Sequence, residues 1–104
     1  MANRMEILKT MLEQNPRDTF ARYGLAMEYA NNGDLESAVA EFRVLLQFNP
    51  DYAAAYFHGG QALEKLGRVE EARQTYEQGI QVTSRTGDQH TRSELQGALD
   101  LLPI

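Results

Sequence analysis

The sequence predicts an all-α fold, a stack of helical hairpins with about six helices. Three observations carry that expectation. Sliding the 104-residue chain against itself gives one dominant offset of 34 residues, a period typical of repeat architectures. Apolar residues recur at spacings of three and four, as one buried face of a helix requires. Val and Ile are sparse and never alternate with polar residues over a useful length, so no strand signal develops.

The offset brings like onto like. Asn15-Pro16 falls on Asn49-Pro50, Tyr23 on Phe57, Gly33 on Gly67, Leu35 on Val69, Glu36 on Glu70, Ala38 on Ala72 and Phe42 on Tyr76. The series runs backwards too: Leu8 aligns with Phe42, Met11 with Leu45, and Leu12 with Leu46 and Ile80. The chain therefore divides into residues 1–16 (the second half of a repeat), 17–50 and 51–84 (two full repeats), and 85–104 (a closing segment).

The first helix, within residues 1–16, offers Met5, Leu8, Met11 and Leu12 as its apolar face. The second spans Phe20 to Asn31, with Phe20, Tyr23, Met27 and Ala30 in helical register and Leu25, Ala26 and Tyr29 widening the face. Asn32-Gly33-Asp34 ends it. Gly33 suits a left-handed C-terminal residue, and Asp34 suits the next N-cap. The third helix runs from Leu35 to about Phe48, because Pro50 biases Asn49 away from helix. Repeat two copies the scheme with Ala53–Leu66, a break at Gly67, and Val69–Val82. The last helix, Asp88 to Leu102, carries Leu95, Ala98, Leu99 and Leu102 on one side, capped by Asp88 or Thr86. Its other faces are polar, as a solenoid end requires.

Ten Lys and Arg against 15 Asp and Glu give a net charge of −5. Such a balance argues against nucleic acid or an anionic membrane as partner, since both reward clustered cations. There is no cysteine, which excludes disulfides, thiolate metal sites and cysteine nucleophiles. Charges interrupt the N-terminus too early for a targeting signal, and no stretch reaches the ~18 uncharged residues of a membrane span. A cytoplasmic location is the expectation.

These residues resemble the tetratricopeptide repeat (TPR) over about residues 1–84, with the last helix as the solvating cap. In repeat one Leu25, Ala26, Tyr29, Ala38, Phe42 and Pro50 match the family's signature slots. In repeat two Tyr56, Gly60, Leu63, Ala72 and Tyr76 do so. The resemblance implies a right-handed α–α superhelix, with Ala26, Gly60, Ala38 and Ala72 allowing close approach of helices. Departures are Arg22 in an aromatic slot, Gly59 for Leu, Leu45 and Gly79 for Ala, and Ser84 for Pro. Ser84 predicts that the fifth helix runs on to about Arg85, and Gly59-Gly60 predicts a soft spot within a helix.

No catalytic constellation, metal site or cofactor site emerges. Gly59-Gly60 sits inside a helical pattern rather than between strand and helix, so it is no phosphate loop. His58 and His90 are 32 residues apart, and His90 shares a face only with Glu94. Glu70-Glu71 points its carboxylates in different directions around a helix. Glu64/Arg68, Asp18/Arg22 and Lys9/Glu13 are expected as exposed pairs at i, i+4.

The family's usual groove is lined by the first helix of each hairpin. The resemblance implies Phe20, Tyr23, Met27, Ala30 and Asn31, then Ala54, Phe57, Gln61, Glu64 and Lys65, with Arg92, Thr91 and Leu95 added by the cap. TPR domains that clamp acidic chaperone tails place Lys and Asn on this surface. Here Tyr23, Met27 and His58 stand there and only Arg92 is basic, so no tight binding of such tails is expected. The expected function is a non-catalytic adaptor binding a protein or peptide in a concave groove. The alternative is self-assembly, as a homodimer joined through Met5, Leu8, Met11 and Leu12 of the first helix, which resembles an outer helix lacking its inner partner.

Overall fold

A computed structural model describes residues 3–104. Six helices follow one another: α1 Arg4–Gln14, α2 Thr19–Asn31, α3 Leu35–Phe48, α4 Ala53–Lys65, α5 Val69–Thr86 and α6 Gln89–Asp100. There is no strand among the described residues. Local chemistry sets the starts. Asn3, Asp18, Asp34 and Asp88 each accept a backbone N–H of the first turn into the side-chain oxygen, from Glu6, Ala21, Ser37 and Thr91 respectively.

The stops are equally local. Gly33 and Gly67 take φ of +83° and +78°. The residue after each donates its N–H back five residues, Asp34 to Tyr29 and Arg68 to Leu63. That arrangement satisfies carbonyls the helix end would otherwise leave bare. α5 outruns its repeat-one counterpart because Ser84 leaves the backbone free to continue, and it ends at Gly87 with φ of +80°.

Each helix packs on the next, and α4 also meets α2 and α6. Three apolar clusters run along the 45 Å length of the stack. Leu8, Leu12, Ala21 and Leu25 join α1 to α2. Ala26, Ala38, Phe42, Leu45 and Ala55 join α2, α3 and α4. Tyr56, Leu63, Ala72, Tyr76 and Leu95 build the third, closed by Leu102 from the C-terminal tail. The tail is divided: Leu102 is buried, whereas Leu101 and Ile104 are exposed.

Gly59 and Gly60 are not a soft spot. Both are buried, and a β-carbon on Gly60 would lie 2.2 Å from a ring carbon of Tyr76. The glycine is a seat for that ring. Gly79 does the same for Tyr56, whose Cβ would be 2.6 Å from an added methyl. Thus a smaller residue in the α5 slot admits a closer α4.

The three expected i, i+4 pairs do not form among the described residues, and each has a physical reason. Asp18 is spent capping α2, so Arg22 turns to Glu41 at 2.7 Å and to the Pro16 carbonyl at 2.8 Å. Glu64 accepts the Tyr76 hydroxyl. Arg68 therefore pairs with Glu71 at 2.5 Å and Glu36 at 3.3 Å. The Lys9 ammonium lies 5.8 Å from the Tyr29 ring centroid. With Glu41, and with Phe48 6.0 Å from its guanidinium, Arg22 fills the slot the family gives to an aromatic.

Candidate functional site

The stack has an inner and an outer side. On one side the backbone of α4 approaches both α2 and α6; on the other, the backbones of α1, α3 and α5 stay apart and only side chains such as Arg43 and Glu71 bridge them. The α2/α4/α6 side is therefore the tighter, concave one. Two hollows lie along it. The first, about 240 Å³ between α2 and α4, is lined by Met27, Ala30, Asn31, Leu35, His58, Gln61, Ala62 and Lys65. The second, about 340 Å³ between α4 and α6, is lined by Phe57, Gln61, Glu64, Ser93, Glu94, Gly97, Ala98 and Leu101. Gln61 stands on the ridge between them and faces both.

Of the sequence-derived groove residues, Met27, Asn31 and Gln61 wall the first hollow, and Phe57 and Gln61 the second. Phe20, on the first turn of α2, is 67% exposed and walls neither. Tyr23 is half-buried. Its ring lies 6.2 Å from that of Phe42, 5.3 Å from Tyr52 and 6.0 Å from His58, centre to centre. Burial, and then the neighbouring Tyr52, push its hydroxyl above the ordinary tyrosine range. Arg92 is exposed on α6 outside both hollows. Leu95 is no groove residue: it is fully buried against α5, where Gly79 leaves room for its side chain.

Lys65 and His58, both expected on this surface, wall the first hollow, and Ser93, Glu94, Gly97 and Leu101 complete the second. His58 sits edge-on to Tyr23 and Phe57. Burial holds its imidazole below the ordinary value, and the Glu94 carboxylate across the groove partly offsets this.

A larger hollow, about 470 Å³, lies on the outer side between α3 and α5. The Arg43–Glu71 ion pair, 2.8 Å long, joins its two walls. At the N-terminal end, Leu8 and Leu12 are buried on α2, while Met5 and Met11 are half-buried and Ile7 is half exposed. The pair His90–Glu94, 3.6 Å apart, is a surface contact with His90 almost fully exposed.

Helical hairpins stacked into a curved array with a grooved inner side define a helical-repeat scaffold. The tetratricopeptide repeat model matches residues 7–53 and 23–85. The chain belongs to the TPR family. It is 30% identical over 91 residues to a TPR repeat-containing protein of Pseudomonas aeruginosa, covering 88% of this chain and 87% of that one. Among solved structures, a TPR domain protein of Salinibacter ruber is 41% identical, covers 82% of this chain and 86% of that one, and superposes with a TM-score of 0.76. A Bordetella parapertussis protein is 32% identical, with 96% and 87% covered and a TM-score of 0.83. The TPR fold is in general a scaffold for protein–protein interaction. No helix among the described residues is long and apolar enough to cross a membrane.

Proposed function

We propose that the protein is a non-catalytic adaptor that docks a peptide or helix of a partner along the α2/α4/α6 face. The single observation that carries this is the pair of adjoining hollows sharing Gln61. Each combines apolar wall with amide, hydroxyl or charged groups at the rim. Met27, Phe57 and Leu101 give adaptable apolar contact, while Asn31 and Gln61 can bond a peptide backbone. Phe20 extends the face beyond the first hollow.

A photo-crosslinking residue placed at Gln61, with a control at the exposed outer residue Ala40, tests this in extracts of the host. The Gln61 adduct should be one discrete partner whose cross-linked fragment is a short segment. Equal labelling from both positions would refute the groove.

A second reading, self-assembly through α1, is favoured by Ile7, 50% exposed and one turn before half-buried Met11. Leu8 and Leu12 serve the fold rather than this surface. Sedimentation at high protein concentration separates the two readings: a monomer removes the second.

A further inference from the structure

The two hollows differ in charge, and the difference points to what each accepts. Lys65 is the one full cation on the wall of the first. The second carries Glu64 and Glu94 and no cation. The rest of its wall is mostly apolar, with Phe57, the backbone at Gly97, Ala98 and Leu101, and carries two neutral polar side chains, Gln61 and Ser93. Among the described residues Glu64 makes no ion pair, its recorded side-chain partner being the hydroxyl of Tyr76. Glu94 meets only the exposed His90, at 3.6 Å. It lines the α4/α6 hollow across from Phe57 and Glu64 of α4.

We propose that the α4/α6 hollow receives a lysine or arginine side chain of the partner peptide, a refinement that rests on the groove reading above. An apolar sleeve ending in carboxylates matches a long cationic side chain. The methylene stem lies along Ala98 and Leu101, the ring of Phe57 presents its face to the cation, and the charged head stays in water beside Glu64 and Glu94. An acidic side chain would meet like charge there, while Lys65 attracts it to the other hollow. The face therefore reads a peptide in one direction. The carboxylates at the rim set specificity more than affinity.

The test uses the full chain against a random peptide library displayed on phage, followed by synthesis of the strongest binder. Binders should be enriched in Arg or Lys beside an apolar residue. Replacing that Arg by neutral citrulline, or a selected Lys by norleucine, should weaken binding about fivefold, the size of an exposed charge pair. The penalty should vanish in Glu64→Gln/Glu94→Gln. Gly97→Phe fills the hollow without a clash at its Cβ and should abolish binding without lowering the melting temperature. Groove binders indifferent to citrulline or norleucine would overturn the cationic pocket while leaving the groove reading intact. Binders indifferent to both Gly97→Phe and Met27→Glu, or no binder at all, would overturn both. A dimer that Gly97→Phe dissolves would overturn the external peptide in favour of a second copy.

Discussion

Replacing Gly60 by alanine and Gly97 by alanine makes the same chemical change in two helices, and the structure assigns the two opposite signs. In an open helical position the added methyl removes glycine's excess conformational freedom, worth about 1 kcal/mol. At Gly97 nothing lies within 4 Å of the new Cβ, so that gain should appear in full. At Gly60 the methyl would sit 2.2, 2.7 and 2.7 Å from three carbons of the Tyr76 ring. That ring is fully buried and its hydroxyl is tied to Glu64, so it cannot swing clear. Relief requires α4 and α5 to part, and overpacking of this kind costs about 1–3 kcal/mol or more. A net loss of about 2 kcal/mol is expected after the propensity gain is subtracted. For a domain of this size that lowers the melting temperature by roughly 8–16 °C, against a rise of roughly 4–8 °C for Gly97→Ala. Thermal denaturation followed by far-UV circular dichroism reads both. Adding Tyr76→Leu to Gly60→Ala should recover part of the loss as a favourable coupling of about 1 kcal/mol. If Gly60→Ala is neutral, or the cycle is additive, the ring does not sit on the glycine and the packing argument fails.

The remaining predictions concern acid stability and the groove. Arg68 and Arg43 lower the Glu71 carboxyl from its ordinary range to about 2. The pair therefore contributes fully above the unfolded carboxylate value and is lost as pH falls towards about 2. Glu71→Gln should flatten the acid limb of stability between roughly pH 5 and pH 2, measured by urea titration at each pH. Phe20→Ala should change the melting temperature by no more than about 3 °C, because the ring is mostly in water. Tyr23→Ala should cost about 2–3 kcal/mol through lost contact with Phe42 and Tyr52. Phe20 is therefore a cleaner position than Tyr23 for separating binding from folding.

Much of the fold was legible because its signals are local. An Asp before a helix, a glycine after it and an apolar residue every three or four positions act within one or two turns of backbone. The 34-residue offset repeats those local signals, and the element order follows. The length of α5 was legible for the same reason, since the missing proline at Ser84 acts on its own turn. The groove was legible only in part. Met27, Asn31, Phe57 and Gln61 line the hollows where their helical register puts them. The wall contributed by α6 was not, because Leu95 turns inward onto Gly79 of α5 and leaves Ser93, Glu94, Gly97 and Leu101 to face α4.

The sequence by itself determined the helices, their caps and the repeat that stacks them, through interactions among residues close in the chain. Tertiary structure decided which side chains those helices leave free. Spacing gave Arg68 to Glu64, yet Tyr76 claims Glu64 from the neighbouring helix and Arg68 crosses to Glu71 and Glu36. It gave Asp18 to Arg22, yet the start of α2 takes Asp18 and Arg22 finds Glu41. A carboxylate has several partners within reach of its own helix. The choice among them turns on donors that only packing brings near, and that choice leaves Glu64 and Glu94 facing the groove.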